Sequence, residues 1–274
     1  MQFLSQFAVQ EFHVSLPTQQ IFSIGPMPIT NSMLLGAFGS VVMLLTFWYV
    51  VSKIKKGSYN RFVGLAQWTF EGFYNTCFDI VPDKKVARSV APLALGVFFT
   101  VLFTYWVSIL PGVGESIKFG EAPLLRGLPT DLNFTSAIAI ISIVAAQIYA
   151  IKVHGFFGNA GRYLRHPIKD PLGAFEGILE IIGEFSRLVA LSFRLFGNAF
   201  AGEVLLMIIA IMSGYLAGLS LPFFFAFELF IGFIQAYVFY MLTLIFTSLA
   251  VMSHGDHNAD HSSPDSLKSS EVKA

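Results

Sequence analysis

The sequence has few charged residues. Only 12% of its 274 residues are charged, against about a quarter in an ordinary soluble domain. The 17 basic and 17 acidic side chains cancel, which excludes an electrostatic nucleic-acid binder and an acidic solvating protein. A single cysteine excludes a disulfide-stapled secreted domain. With 55% hydrophobic residues, the chain lacks the polar surface to cover a water-soluble core, which leaves an integral membrane protein.

Long stretches without charge predict where the chain crosses the bilayer, because a hydrocarbon core about 30 Å thick needs about 20 helical residues. The predicted spans are 32–52, 89–113, 134–151, 172–214 and 220–253. An amphipathic helix over 62–81 is expected to lie along the inner interface. Residues 1–31 are expected to form an outer N-terminal segment, and the polar residues 254–274 a disordered cytoplasmic tail. The predicted fold is therefore an all-α polytopic membrane protein.

Basic residues in the short loops predict the orientation. The loops after the first and third spans are rich in Lys and Arg, whereas the segment 114–133 has only Lys118 and Arg126. The positive-inside rule puts the basic loops and the C-terminus in the cytoplasm and the N-terminus outside. No cleavable signal peptide and no organelle-targeting segment is expected, which favours a bacterial cell (inner) membrane.

The fourth predicted span is unusual because it carries charge inside the membrane. Glu180, Glu184, Arg187, Arg194 and Asn198 are separated by three, four or seven residues, which predicts one polar stripe along a helix. A charge at the bilayer centre costs about 2.5–3.5 kcal/mol on insertion scales. Arg194 falls near mid-membrane, so we expect it to have a function. The alternative is that it pairs with an acid on a neighbouring helix and only holds the bundle.

Three more polar residues fall in the last two spans. Glu203 follows Arg194 by nine residues, about 180° around the helix. Glu228 and Gln235 are seven apart and share one face of the final helix. Antiparallel packing of the two helices is expected to bring Glu228 near Glu203 and Gln235 near Arg194. The alternative for Gln235 is a simple helix–helix hydrogen bond, worth about 0.6 kcal/mol.

The segment Ser192–Glu203 reads SFRLFGNAFAGE, and it closely resembles subunit a of the F-type ATP synthases. Further similarity lies in LPTDLN at 128–133, in Glu180 fourteen residues before Arg194, and in QAYVF at 235–239. The resemblance covers about residues 30–253. It implies a stator beside a rotating ring of c subunits, with two long tilted helices forming an antiparallel hairpin along the ring. The implied partners also include the b subunits of the peripheral stalk and the remainder of the FoF1 complex.

The resemblance also implies roles for individual residues. Arg194 would face the ring, keep each passing ring carboxylate unprotonated and block a leak between two offset half-channels. Glu203, Glu228 and Gln235 fall at positions associated with the outer half-channel, while Asn198 and Glu180 fall on the ring-facing and cytoplasmic side. Relatives vary between His and Glu at the positions of Glu203 and Glu228, and this chain has Glu at both. Its outer channel therefore lacks an imidazole relay.

The resemblance implies a non-catalytic subunit without cofactor or metal, whose partners carry the nucleotide chemistry. Its surroundings are lipid, with no nucleic acid, and its cargo is the proton, with sodium as the alternative ion. A stand-alone proton-coupled transporter is a competing interpretation, but it calls for a substrate pocket between repeats. A membrane-embedded enzyme calls for a nucleophile–base or metal constellation within the spans. The sequence shows none of these features.

Overall fold

A computed structural model describes residues 20–24, 27–110, 114–119, 122–163 and 171–252. The predicted outer segment is described only in part, and the predicted tail 254–274 lies outside the described residues. Six long helices run through the described part: α1 (Asn31–Lys55), α2 (Arg61–Ile80), α3 (Lys84–Ser108), α4 (Leu132–Tyr163), α5 (Pro171–Met212) and α6 (Ala217–Met252). All but α2 contain a segment long and apolar enough to cross a membrane, so the prediction of an all-α polytopic membrane protein is confirmed.

Two short antiparallel hairpins, which the sequence analysis did not predict, precede α1 and α4. The first pairs β1 (Gln20–Ile24) with β2 (Met27–Thr30), and the second pairs β3 (Gly114–Phe119) with β4 (Ala122–Leu125). Strands β2 and β4 both contact α1. Both hairpins therefore lie against α1.

Polar caps fix where three of the helices begin. The Thr30 hydroxyl accepts from the Met33 backbone N–H at the start of α1, and Asp83 accepts from Lys85 N–H at the start of α3. Asp131 accepts from Asn133 N–H at 2.9 Å before α4. Its second carboxylate oxygen accepts a buried hydrogen bond of 2.9 Å from the Ser32 hydroxyl in α1. One carboxylate thus satisfies an N-terminal helix donor and ties α4 to α1.

Helix α2 packs along the bundle through one face, as expected of an amphipathic helix. Its Phe73 ring lies 4.4 Å from Phe98 of α3 and 5.2 Å from Tyr240 of α6, measured between ring centroids. The Tyr240 hydroxyl donates to the Phe73 carbonyl. On the same buried face lies the single cysteine, Cys77, and burial raises the pKa of its thiol to about 11. Trp68, on the opposite face, is 74% exposed.

Helices α5 and α6 are too long for an upright crossing. At about 1.5 Å per residue, the 42 residues of α5 extend about 63 Å and the 36 residues of α6 about 54 Å. Both lengths far exceed a hydrocarbon core of about 30 Å, so both helices must tilt or continue beyond it. The two helices pack against each other and against α4, while α3 packs on α6. Every residue of the candidate site lies at these contacts or on the open side of α5.

Candidate functional site

Helix α5 presents two different faces around Arg194. Leu191 and Leu195 are buried in the core, and both lie on the face that packs against the bundle. The Ser192 hydroxyl is also buried and hydrogen-bonds with the hydroxyl groups of Thr135 at 3.3 Å and Ser136 at 2.9 Å. These contacts fix the rotation of α5 against α4. They leave Arg194 on the outward face of the helix.

Arg194 is an exposed cation roughly halfway along α5. Within the part of the chain that the structure describes, its guanidinium makes no ion pair and no hydrogen bond. Phe193 beside it is 54% exposed, and Ala201, two turns further along the same face, is exposed as well. A fixed positive charge therefore projects from the open face of α5, beside the exposed apolar side chains of Phe193 and Ala201.

One helical turn after Arg194, Asn198 joins α5 to α6. Its side-chain amide donates to the Gln235 side-chain oxygen at 2.7 Å. Gln235 is 98% buried from solvent, and among the described residues its Nε2 has no hydrogen-bond partner. The structure thus places Gln235 against Asn198 and not against Arg194. The Gln235 amide is therefore a buried polar group whose N–H donors are unsatisfied among the described residues.

Glu228 is buried between α3, α5 and α6, with 2% of its surface exposed. Tyr105 of α3 donates from its hydroxyl to Glu228 Oε2 at 3.2 Å. On the α5 side, the carboxylate lies against Gly202, where an added Cβ would stand 2.7 Å from Glu228 Cδ. Glu203, the residue after Gly202, is half-buried. The structure therefore brings Glu228 to the same level of α5 as Glu203, with Gly202 as the contact.

A second group of polar side chains lies nearer the start of α5. Gln147 of α4 donates from its amide to Glu184 Oε1. Arg187 lies over the Phe246 ring of α6, 5.3 Å from its centroid. A small cavity opens between α4, α5 and α6 and is lined by Ile143, Ala146, Gln147, Glu184, Arg187, Phe246 and Ala250. Glu180, one turn before Glu184, is half-buried.

Two residues of these clusters were not predicted from the sequence as site residues. Tyr105 resembles an interfacial aromatic at the end of a span, yet it is 1% exposed and contacts Glu228. Gln147 sits in an apolar span with no charged neighbour that would mark it. The sequence feature that could have indicated the Tyr105 contact is Gly232 of α6. In the structure, an added Cβ at Gly232 would stand 2.9 Å from Tyr105 Cε1. Glycine inside a long apolar helix often marks a close approach of this kind.

Replacing Gly202 with Ala is expected to displace Glu228, because the new methyl group would overlap the carboxylate. A buried carboxylate cannot move far without losing its hydrogen bond from Tyr105. We expect proton conduction by the assembled complex in vesicles to fall by about tenfold while the protein still inserts. Gly96→Ala on α3 is the matched control, since nothing lies within 4 Å of its added Cβ and it lies away from the open face of α5. Equal conduction by both variants would contradict the close contact.

Polar side chains thus form two groups at different levels along α5 and α6. Arg194 lies between these two levels. Carboxyl groups bind and release protons, so the chemistry available at both levels is proton exchange. Glu228 belongs to one level and Glu184 to the other. Within the described ranges, no group of three or more His, Cys, Asp or Glu side chains is arranged to hold a metal ion.

Comparison with known proteins gives one consistent family. The profile of the ATP synthase A chain family matches residues 33–248. ATP synthase subunit a of Mycobacterium ulcerans is 30% identical over 235 residues, covering 84% of this chain and 90% of the relative. The Mycobacterium tuberculosis subunit a is 32% identical with the same coverage, and ATP synthase subunit a 2 of Vibrio campbellii is 30% identical over 82% of this chain and 89% of the relative. The chain therefore belongs to the ATP synthase A chain family.

Proposed function

We propose that this chain is the Fo subunit a of an ATP synthase and that Arg194 separates two proton half-channels within it. The observation that supports this most directly is the placement of Arg194 on the open face of α5. An exposed arginine at this depth costs free energy in lipid, so a partner that carries negative charge is expected to cover it. The carboxylates of a c ring fit that requirement. The chain carries protons within the FoF1 complex, and the nucleotide chemistry belongs to other subunits.

The outer half-channel is proposed to run through Glu203, Glu228 and Gln235. Glu228 is buried and hydrogen-bonded, and Gln235 continues the polar line along α6 to Asn198, one turn from Arg194. Carboxyl groups in these positions can receive protons from outside and pass them towards the ring. At Glu203 and Glu228 the chain uses carboxyl groups where an imidazole would also serve.

The inner half-channel is proposed to include Glu180 and the cavity beside Glu184. The cavity lies between three helices and combines a carboxylate, an amide and the Arg187 guanidinium. Polar groups of this kind line water-accessible paths inside membrane proteins. With the basic loops on the cytoplasmic side, the start of α5 faces the cytoplasm, the N-terminus lies outside and the C-terminus lies inside. Glu180 and Glu184 then lie on the side where protons leave.

The strength of the Arg194–ring contact is limited by what the membrane potential supplies. A bare arginine–carboxylate contact at 4 Å is worth about 4 kcal/mol at an effective dielectric of 20. One charge crossing 100 mV yields about 2.3 kcal/mol, so a dry ion pair would trap the ring. We therefore propose a hydrated, transient contact.

Cysteine cross-linking in the assembled complex tests the proposed ring-facing surface. Ala201 lies on the same face of α5 as Arg194, and we expect Ala201→Cys to form a disulfide with a cysteine placed on the outer helix of a c subunit when copper phenanthroline oxidises the membranes. The native Cys77 is buried with a raised thiol pKa, so it should not interfere.

The matched control is Leu44→Cys on α1, which is 62% exposed but belongs to a different surface. We expect no cross-link to the ring from this position. Purification of the uncross-linked chain should also bring an oligomeric proteolipid ring with it. Cross-linking from Leu44 and not from Ala201 would contradict the proposed surface. A stable monomer that binds a small solute would instead support a stand-alone transporter.

A further inference from the structure

Tyr105 stands between two hydrogen-bond acceptors in a buried contact. Its side chain is 1% exposed, and its hydroxyl oxygen lies 3.2 Å from Glu228 Oε2 and 3.3 Å from the backbone carbonyl oxygen of Asn198. A phenol carries one hydroxyl proton, so it donates fully to one of these acceptors at a time. The two nearly equal distances make either choice geometrically available.

The position of this hydroxyl is fixed from two sides. Gly232 of α6 leaves room for the Tyr105 ring, and Gly202 of α5 leaves room for the Glu228 carboxylate. The Trp106 indole next to Tyr105 donates to the Leu229 carbonyl at 3.0 Å, which joins α3 to α6 beside Glu228. Tyr105 and Glu228 are therefore held together by packing from three helices, and the hydroxyl proton is the part that can still move.

We propose that Tyr105 is a positioning residue for Glu228 and that its hydroxyl follows the protonation state of this carboxyl group. The idea rests on the proposed role of Glu228 in the outer half-channel. When Glu228 is ionised, the phenol donates to its carboxylate. When Glu228 takes up a proton, its own O–H becomes the donor to the phenol oxygen, and the phenolic O–H turns to the Asn198 carbonyl. The phenol neither gains nor loses a proton in this cycle.

The physical reason is that both states of Glu228 must be tolerated in the same buried place. A buried carboxylate without a hydrogen-bond donor is costly, and a buried carboxylic acid without an acceptor also loses a hydrogen bond. A hydroxyl that can donate or accept serves both states. The titratable groups beside Glu228 are Tyr105 from α3 and Glu203, which follows the contact residue Gly202 on α5. Within a turn on either side, α6 itself carries no other titratable residue.

The same hydroxyl reaches the turn of α5 that follows Arg194. Its second acceptor is the carbonyl of Asn198, and the Asn198 amide is bonded to Gln235. Tyr105 therefore connects the carboxyl group at the outer level with the residue pair one turn from the arginine. Among the described side-chain hydrogen bonds, no residue of α5 or α6 contacts both Glu228 and Asn198.

Tyr105→Phe in the assembled complex tests the inference, because it removes the hydroxyl and keeps the ring. We expect proton uptake from the outer side of reconstituted vesicles to fall by about tenfold at neutral pH. We also expect its pH profile to move by about one unit towards higher pH, since the carboxylate loses its donor. Tyr240→Phe is the matched control, because Tyr240 is equally buried but donates to a backbone carbonyl in α2. It should leave the pH profile unchanged.

A double-mutant cycle separates positioning from packing. In a Glu228→Gln background, Tyr105→Phe should cause no further shift of the pH profile. An equal shift with and without Glu228 would overturn the inference while leaving the outer path intact. If Glu228→Gln itself had no effect on proton uptake, both the proposed outer path and the inference about Tyr105 would be wrong. These results are distinguishable in one set of vesicles.

A second measurement avoids any loss of folding by the phenylalanine variant. Incorporating 3-fluorotyrosine at position 105 keeps the ring and hydroxyl but makes the phenol a stronger donor. We expect the pH profile to move towards lower pH, opposite to Tyr105→Phe. An unchanged profile with normal assembly would overturn the inference.

Discussion

Proton-driven ATP synthesis is expected to fall to background when Arg194 is replaced with Ala in the assembled enzyme. Arg194 is the one cation that projects from the middle of the described part of α5. Even a hydrated contact, weaker than the bare value of about 4 kcal/mol, favours the ionised form of the ring carboxylate. Without Arg194, the passing carboxylate keeps its proton, and the two half-channels are no longer separated. The complex should then leak protons without making ATP.

Two further variants sharpen this result. Arg194→Lys keeps a positive charge but loses the delocalised guanidinium that stays protonated in a dry environment, so we expect it to fail as well. Arg88→Ala removes an exposed arginine from the first turns of α3 and should leave synthesis near the parental rate. ATP synthesis in inverted membranes, with subunit content checked by immunoblot, measures all three. Parental synthesis by Arg194→Ala would contradict the proposed role.

Proton uptake from the outer side should fall by about tenfold or more when Glu203 and Glu228 are both replaced with Gln. An amide keeps the size and hydrogen-bonding capacity of the side chain but cannot carry a proton. Glu228 is buried against Gly202 and Tyr105, so water has little room to bypass it. Assembly should be retained, because glutamine can still accept from the Tyr105 hydroxyl.

The matched control for the double variant is Glu71→Gln on α2. Glu71 is exposed and accepts a hydrogen bond from Gln67, away from both polar levels. Proton flux in reconstituted vesicles, driven by an imposed pH difference, compares the two. Unchanged flux in the double variant, with normal ATP hydrolysis by the attached catalytic part, would exclude these acids as the outer path.

The sequence was sufficient to predict five long apolar helices, because lipid solvation depends on local hydropathy. Their ends were less predictable, and α4 illustrates why. The predicted span stops at residue 151, since Lys152 and His154 are polar, whereas the helix continues to Tyr163 through a kink at Gly155 with φ of 76°. The point where the chain leaves the hydrocarbon core therefore differs from the point where the helix ends. Likewise, α3 begins at Lys84 because Asp83 caps it, although the charge-free stretch begins later.

Contacts between helices depend on rotation about each axis, which the sequence does not specify. Tyr105 illustrates this, since its place near the end of a span is typical of an interfacial aromatic. Its burial beside Glu228 follows from the close approach of α3 to α6 at Gly232. The depth of Gln235 was predictable from helix length, but its partner was not. A shift of one helical turn along α5 decides whether Arg194 or Asn198 lies beside Gln235.

The length of α5 has a consequence for handedness. In the proposed role α5, about 63 Å long, leans across a layer about 30 Å thick, so its two ends are displaced sideways as well as in depth. In the proposed role, Glu184 and Glu203 therefore differ in their angular position around the ring. If α5 were tilted in the opposite direction, the angular order of Glu184 and Glu203 would be reversed. The same proton gradient would then drive the proposed ring in the opposite direction. In the proposed role, the handedness that L-amino acids impose on helices would therefore also determine which way the ring turns.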